Sequence, residues 1–304
     1  MELIKDNYIR GSGSGDTWHV DIDPPKRKVG TYFQETLIAM EYVNDVRDGE
    51  IQLLYSGGLD SEYVARVLLH LGIKFTPVII QLKNTKENSI YNNHDIAYAF
   101  DFCKLYNLTP KVYDLDFDKF VSSGQWRAIA ESVECCAIAI PATLYVASQL
   151  DGFTILGNDP PYLRYEKETD NWYLEELQYT HSILRYYKKF NLNGCPFLLS
   201  YTPEMMLSFL LDPKIVELGN NKIPGKKGSN STKSYVFNNG SGFNMESYDF
   251  INKDRIKYTG YEKIYGSEIL KNPNIGDLKS YMKNWNGEYL EPYQHAVKRL
   301  SIYQ

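Results

Sequence analysis

Four short apolar runs, separated by segments of helical period, constrain this chain more than any other feature of it. IQLLY (51–55), FTPVIIQL (75–82), KVYDLDF (111–117) and FTILG (153–157) read as strands. Strands that are close to continuously apolar, with a helix after each, are those of a parallel sheet with both faces covered. The predicted class is therefore α/β, with right-handed crossovers between neighbouring strands.

The intervening segments support this reading. TYFQETLIAMEYVNDV (31–46) has Phe33, Leu37, Ile38, Met40 and Val43 at helical spacing. In LDSEYVARVLLHLG (59–72) the apolar stripe is Val64, Val67, Leu68 and Leu71. Glu62 and Arg66 pair four apart on its wet face, and Gly72 suits the end of the helix. A third helix over 93–107 turns Ile96, Ala99, Phe100 and Cys103 inward, and 133–150 reads as a mostly buried fourth. Further on, Thr202, Pro203 and Glu204 open a helix that Asp212-Pro213 closes.

The flanks are less regular. Residues 1–30 carry GSGSGD and DPPKRK and read as a flexible N-terminal arm. Residues 31–215 are expected to form the main domain and 216–304 a helical C-terminal region. Within the latter, 219–244 is rich in glycine, lysine and asparagine and reads as a loop, either a lid or a disordered insertion.

Composition narrows the classes. In 304 residues, 43% hydrophobic and 23% charged, there is enough apolar material for a core without disulfides. A formal charge of -5 disfavours, without excluding, a nucleic-acid partner. No run approaches the length of a membrane helix and the N-terminus has no secretory h-region, so the expectation is a cytoplasmic protein with no membrane partner. Cys103, Cys135, Cys136 and Cys195 form no C-x-x-C pair, and the adjacent Cys135 and Cys136 read as small buried hydrophobes in preference to a redox or persulfide role. The five histidines are too scattered for a zinc site.

Chemistry concentrates in Tyr55-Ser56-Gly57-Gly58-Leu59-Asp60-Ser61, where the first of these strands meets its helix. Glycines let the backbone turn tightly and aim successive N–H groups at one point. The helix N-terminus and the hydroxyls of Ser56 and Ser61 add to that anion cradle, at the carboxyl end of a parallel strand. Asp60 would repel phosphate unless it holds a divalent cation that bridges to it. No Gly-Lys-Ser/Thr follows, and the loop is not a dinucleotide fingerprint.

Ser-Gly-Gly-x-Asp-Ser resembles the PP-loop of the N-type ATP pyrophosphatase superfamily. The chain looks most like the synthetase domain of asparagine synthase, over roughly residues 35–220. The resemblance implies an adenine nucleotide alpha hydrolase-like fold that uses ATP and Mg2+. It assigns phosphate binding to Ser56, Gly57, Gly58, Leu59 and Ser61, and metal binding to Asp60 and Asp159. TILGNDPP (154–161), with Gly157, looks like the family's second phosphate and metal segment. Glu131, three residues before Glu134 on one helical face, looks like the glutamate that helps the amine react. Arg164 reads as a phosphate ligand or, more plainly, as a surface arginine. The family's catalytic lysine has Lys263 as its first candidate and Lys257 as its second.

The chain departs from that pattern in places. Gly157-Asn158-Asp159-Pro160-Pro161 lacks the second glycine and the glutamate of the usual motif, and Met1 is followed by Glu2 with no glutaminase cysteine. Three functions follow from the resemblance. The first is an AMP-forming ligase that adenylates a small carboxylate or carbonyl and joins it to an amine or ammonia. The second is a nucleic-acid base-modifying enzyme of the same superfamily. The third is an ATP-binding protein that has lost turnover. Acceptor, amine source, any separate glutaminase and oligomeric state are left open.

Overall fold

A computed structural model describes residues 9–11, 18–20, 25–135, 139–157, 162–166, 168–220, 230–245 and 288–301. Strands β1 (Ile9–Gly11) and β2 (Trp18–Val20) form an antiparallel pair ahead of helix α1 (Tyr32–Val46). Then come β3 (Ile51–Leu54), α2 (Leu59–His70), β4 (Phe75–Asn84), β5 (Ser89–Ile90), α3 (Asn93–Leu105) and β6 (Lys111–Asp116). Helices α4 (Phe117–Ser122), α5 (Gln125–Ser132) and α6 (Ala139–Ala147) lead to β7 (Phe153–Leu156).

The central sheet runs β10-β7-β3-β4-β5 with β6 also on β4, where β10 is Gly194–Cys195. Every pairing in it is parallel except β4 with β5. All four expected strands are present, and the expected α/β class is the one observed. The chain leaves β3 towards β4 on one side and returns to β7 on the other. The carboxyl ends of β3 and β7 therefore lie side by side where the strand order reverses, the place at which open parallel sheets bind ligands.

Two cores cover the two faces. Ile51, Leu53, Phe153 and Ile155 point into the first, with α1, α2, α3 and α8 (Pro203–Leu210). Leu54, Val78, Leu82 and Leu156 point into the second, with α4 to α6 and α7 (Gln178–Lys189). The alternation between Leu53 and Leu54 is the strand period of two made visible. Beyond the main sheet, β8 (Tyr162–Glu166), β9 (Asn171–Leu177) and β11 (Glu288–Pro292) form a three-stranded antiparallel sheet. Helix α9 (Pro213–Asn220) precedes α10 (Asn230–Asn238), and α11 (Tyr293–Ser301) follows β11. Val236, Phe237, Met245 and Tyr293, from the region 216–304 read as C-terminal, are buried in the first core.

Several local expectations change. Residues 25–30, read as part of a flexible arm, are strapped to the body by two buried carboxylates. Glu35, 1% exposed, takes Arg27 through both oxygens and accepts the Gly30 N–H at 2.6 Å. Glu204 accepts the Lys26 N–H at 2.9 Å. Glu35 is thus inside with Phe33, Met40 and Val43, while Ile38, expected inside, is 47% exposed. The hydrogen bond to Glu35 raises the Arg27 pKa above its ordinary value. Of the helix expected over 133–150, Ala139–Ala147 is helical. Before it, Glu134 sits in left-handed backbone at φ 56, which ends α5 in a turn. The segment 219–244, read as a loop, contains α10. By contrast, Thr202 caps α8 as expected, accepting the Met205 N–H at 3.1 Å, with Pro203 at its start. Among the described residues, no helix is long and apolar enough to cross a membrane.

Candidate functional site

The sheet continues one residue past β3, where the Tyr55 N–H donates to the Val78 carbonyl at 2.9 Å. There the chain turns away. Gly57 has φ +79, and a Cβ on it would meet the Asp95 carbonyl oxygen at 2.7 Å and the Ala99 nitrogen at 2.9 Å. Both the backbone conformation and the packing on α3 therefore demand glycine at this position. Gly58 is the N-cap of α2 and has no side chain with which to cap it. The first-turn amides of Leu59, Asp60 and Ser61 have no partner within the helix, and the positive end of its dipole lies here.

The two serines complete the cradle. Ser56 Oγ accepts the Gly58 N–H at 3.2 Å and lies 3.2 Å from Ser61 Oγ. Ser61 Oγ donates to the Gly58 carbonyl at 3.0 Å. Leu59 is buried and anchors the loop to the first core. Gly157 closes the far wall: a Cβ there would stand 2.7 Å from Ser61 Cα and 2.9 Å from Ser61 N. The structure thus brings together Ser56, Gly57, Gly58, Leu59, Asp60, Ser61 and Gly157, the residues expected at a phosphate site.

Asp60 has a neighbour that was not expected. Lys233 of α10 donates through Nζ to Asp60 Oδ2 at 2.9 Å, and its side chain is 3% exposed against 19% for Asp60. Aromatic packing holds α10 in place. One turn beyond Lys233, the Phe237 ring stacks on Tyr63 of α2 with centroids 4.1 Å apart and planes 8° from parallel. Its centroid is 5.9 Å from that of Tyr32, which belongs to α1. The Tyr63 hydroxyl donates to Thr36 Oγ1 at 3.2 Å, and burial raises the pKa values of Tyr63 and Tyr32, so both stay neutral. Residues i and i+4 share a helix face. The stack that docks Phe237 therefore carries Lys233 onto the loop.

The residues present fit a nucleotide phosphate: an uncapped helix start, two hydroxyls and a lysine converge on one turn. They fit a divalent cation less simply, because the carboxylate that would hold it already has Lys233. Among the described residues, no three His, Cys, Asp or Glu side chains gather as metal ligands would.

Asp159, Lys257 and Lys263 lie outside the described residues. Glu131 is on α5, 48% exposed, and accepts from Arg127 at 2.6 Å in an i,i+4 pair. Glu134 pairs with Arg185 of α7. Arg164 is in β8, opposite Tyr173 in the antiparallel register. The described cysteines Cys103, Cys135 and Cys195 are buried, the first two as expected.

Lys233 is the residue that sequence reasoning missed. A signal was there: Lys233, Val236 and Phe237 repeat at i, i+3 and i+4 inside STKSYVFNN. Five glycines over 219–244 masked this short amphipathic turn as loop.

No protein-family model matches the chain, and no curated protein matches it. Solved structures similar to it include a predicted subunit of tRNA methyltransferase from Methanocaldococcus jannaschii, with 16% identity and a TM-score of 0.32 over 52% of this chain and 72% of that one. Another is the U34-tRNA thiolase NcsA from Methanococcus maripaludis with its [4Fe-4S] cluster, with 13% identity and a TM-score of 0.32 over 88% and 80%. A third is NMN synthetase from Francisella tularensis, with 13% identity and a TM-score of 0.28 over 77% and 93%. With TM-scores near 0.3, none of the three bears on the site.

Proposed function

We propose that the chain is an AMP-forming ATP pyrophosphatase of the ligase type. It adenylates a small carboxylate or carbonyl compound and hands it to an amine or ammonia. One observation carries this reading: a buried lysine is fixed over a serine-glycine loop at the start of α2, at the carboxyl end of β3 where the strand order reverses.

In this reading the amides of residues 58–61 and the hydroxyls of Ser56 and Ser61 hold the β- and γ-phosphates of ATP. A substrate carboxylate oxygen attacks the α-phosphorus. The bond from that phosphorus to the bridging oxygen breaks, and pyrophosphate leaves with the electron pair. Charge grows on the departing oxygens, and Lys233 stands where it can meet that charge, the role the resemblance gives to a lysine. The amine nitrogen then attacks the acyl carbon, gives up a proton, and AMP leaves. Glu131 keeps the part of the amine-facing carboxylate, since an exposed pair such as that with Arg127 is cheap to open. Mg2+, held by Asp60 with Asp159, would add positive charge at the phosphates when bound.

The test is product identification. Purified protein is given ATP, Mg2+ and either a small-molecule or a nucleic-acid fraction, with Asp60→Asn as control, and AMP and pyrophosphate are quantified. AMP appearing with the small-molecule fraction supports the ligase and supplies its acceptor. AMP appearing only with nucleic acid replaces it with base modification. ATP bound without AMP leaves a binding protein, and no ATP binding at all overturns the proposal.

A further inference from the structure

Asp60 is the only carboxylate in the loop 56–61, and it is already neutralised from a helix far along the chain. The Lys233 ammonium lies 2.9 Å from Asp60 Oδ2. A hard divalent cation would take up a position at about 2.0–2.6 Å from the same oxygen. Two cations cannot share that place, and they repel each other in a pocket where Lys233 is 3% exposed. Swinging α10 away would not relieve the conflict cheaply, because Phe237 is packed against Tyr63 and Tyr32 one turn on. What can move is the four-carbon stem of the lysine itself.

Resting on the nucleotide reading above, we propose that Lys233 is a resident counter-ion that keeps divalent cations off Asp60 until a nucleoside triphosphate arrives. In the nucleotide-free protein a single carboxylate is a poor ligand set for a divalent ion, and the built-in ammonium wins. Phosphates change both sides of the exchange at once. They offer Lys233 a new anionic partner within reach of the same loop, and they offer the cation further oxygen ligands. Cation and nucleotide then bind with strong mutual dependence, and by linkage each raises the affinity of the other equally. Lys233 thus sets the order in which the site fills.

The probe is Mn2+, followed by electron paramagnetic resonance of the free ion, on the full chain with and without α,β-methylene-ATP. Wild type without nucleotide is expected to show no Mn2+ site that Asp60→Asn removes. With the analogue, such a site appears. Lys233→Met is expected to bind Mn2+ without nucleotide at least tenfold more tightly than wild type, and the double variant Asp60→Asn/Lys233→Met to lose that site. An Asp60-dependent Mn2+ site in nucleotide-free wild type overturns the inference. So does a Lys233→Met protein that binds Mn2+ no better than wild type. If the Met variant does not fold, Lys233→Gln replaces it, and the wild-type arm decides without either. Failure of the analogue to bind any variant defeats the enzymatic reading, while the nucleotide-free arms still judge the lysine.

Discussion

Gly157 at the end of β7 and Ser61 in the first turn of α2 meet backbone to backbone: a Cβ on Gly157 would stand 2.7 Å from Ser61 Cα. Neither partner can yield without moving a strand or the helix that presents the loop. Gly157→Ala is therefore expected to push the two apart and to destabilise the fold by about 1–3 kcal/mol. The phosphate cradle shifts with it, and ATP-dependent turnover should fall on the order of 10²-fold. Urea titration beside steady-state AMP release checks both. Unchanged turnover in a folded variant would mean that this wall does not shape the site.

The pair between Lys233 and Asp60 is unequal, with one side chain 3% exposed and the other 19%. Removing the carboxylate takes a charged partner from the more deeply buried side chain, whereas removing the ammonium takes one from the less buried side chain. Asp60→Ala should lower stability more than Lys233→Met does. Denaturant midpoints of the two variants test the order, and the reverse order would mean that Lys233 is held chiefly by other groups.

Phe237 joins α10 to α1 and α2 through its rings. Phe237→Ala should cost about 3–5 kcal/mol if the whole chain unfolds as one unit. Because Lys233 rides on the same helix face, hydrogen exchange in 230–238 should quicken more than in α4 to α6, which belong to the second core. Uniform quickening across both cores would show that α10 has no stability of its own to lose.

Cys103 is 2% exposed and burial pushes its thiol pKa up from 9.0 to about 11. A raised folded-state pKa contributes stability that is intact below the unfolded value and lost as pH rises through the folded one. The contribution of Cys103 should therefore fade between pH 9.0 and about 11, and below that range the thiol should resist modification. Timed reaction with a thiol reagent at pH 8, with and without denaturant, measures this. Rapid native reaction traced to Cys103 by mass spectrometry would count against its burial.

Much of this architecture could be read before any coordinates, for physical reasons. The strands at 51–54, 75–84 and 153–156 carry apolar runs bounded by turn residues, which is a local signal, while that at 111–116 mixes Val112, Tyr113 and Leu115 with charged residues. The loop 56–61 and the Thr202 cap are local too, since each depends on residues within one turn of chain. What escaped reading depends on distant partners. Glu35 is buried where Arg27 and Gly30 fold back onto it, and no helical period within 31–46 records that. Glu134 takes left-handed backbone where its carboxylate meets Arg185, 51 residues later. β9 pairs with β11 across more than a hundred residues, in register from Tyr173 with Pro292 to Leu177 with Glu288. Lys233 is the sharpest case, since only docking of Phe237 tells that lysine from its neighbours.

The separation of Lys233 from Asp60 is 173 residues, and it carries a consequence for how the protein is made. At about 5–20 residues per second, a ribosome needs roughly 9–35 s to go from one to the other. During that interval β3, β4, β6 and β7 can already assemble around the loop, because the last of them ends at Leu156. The growing chain thus acquires its sheet and its acidic loop well before the lysine that neutralises it. Its site is finished late, by a helix docking on a scaffold already in place.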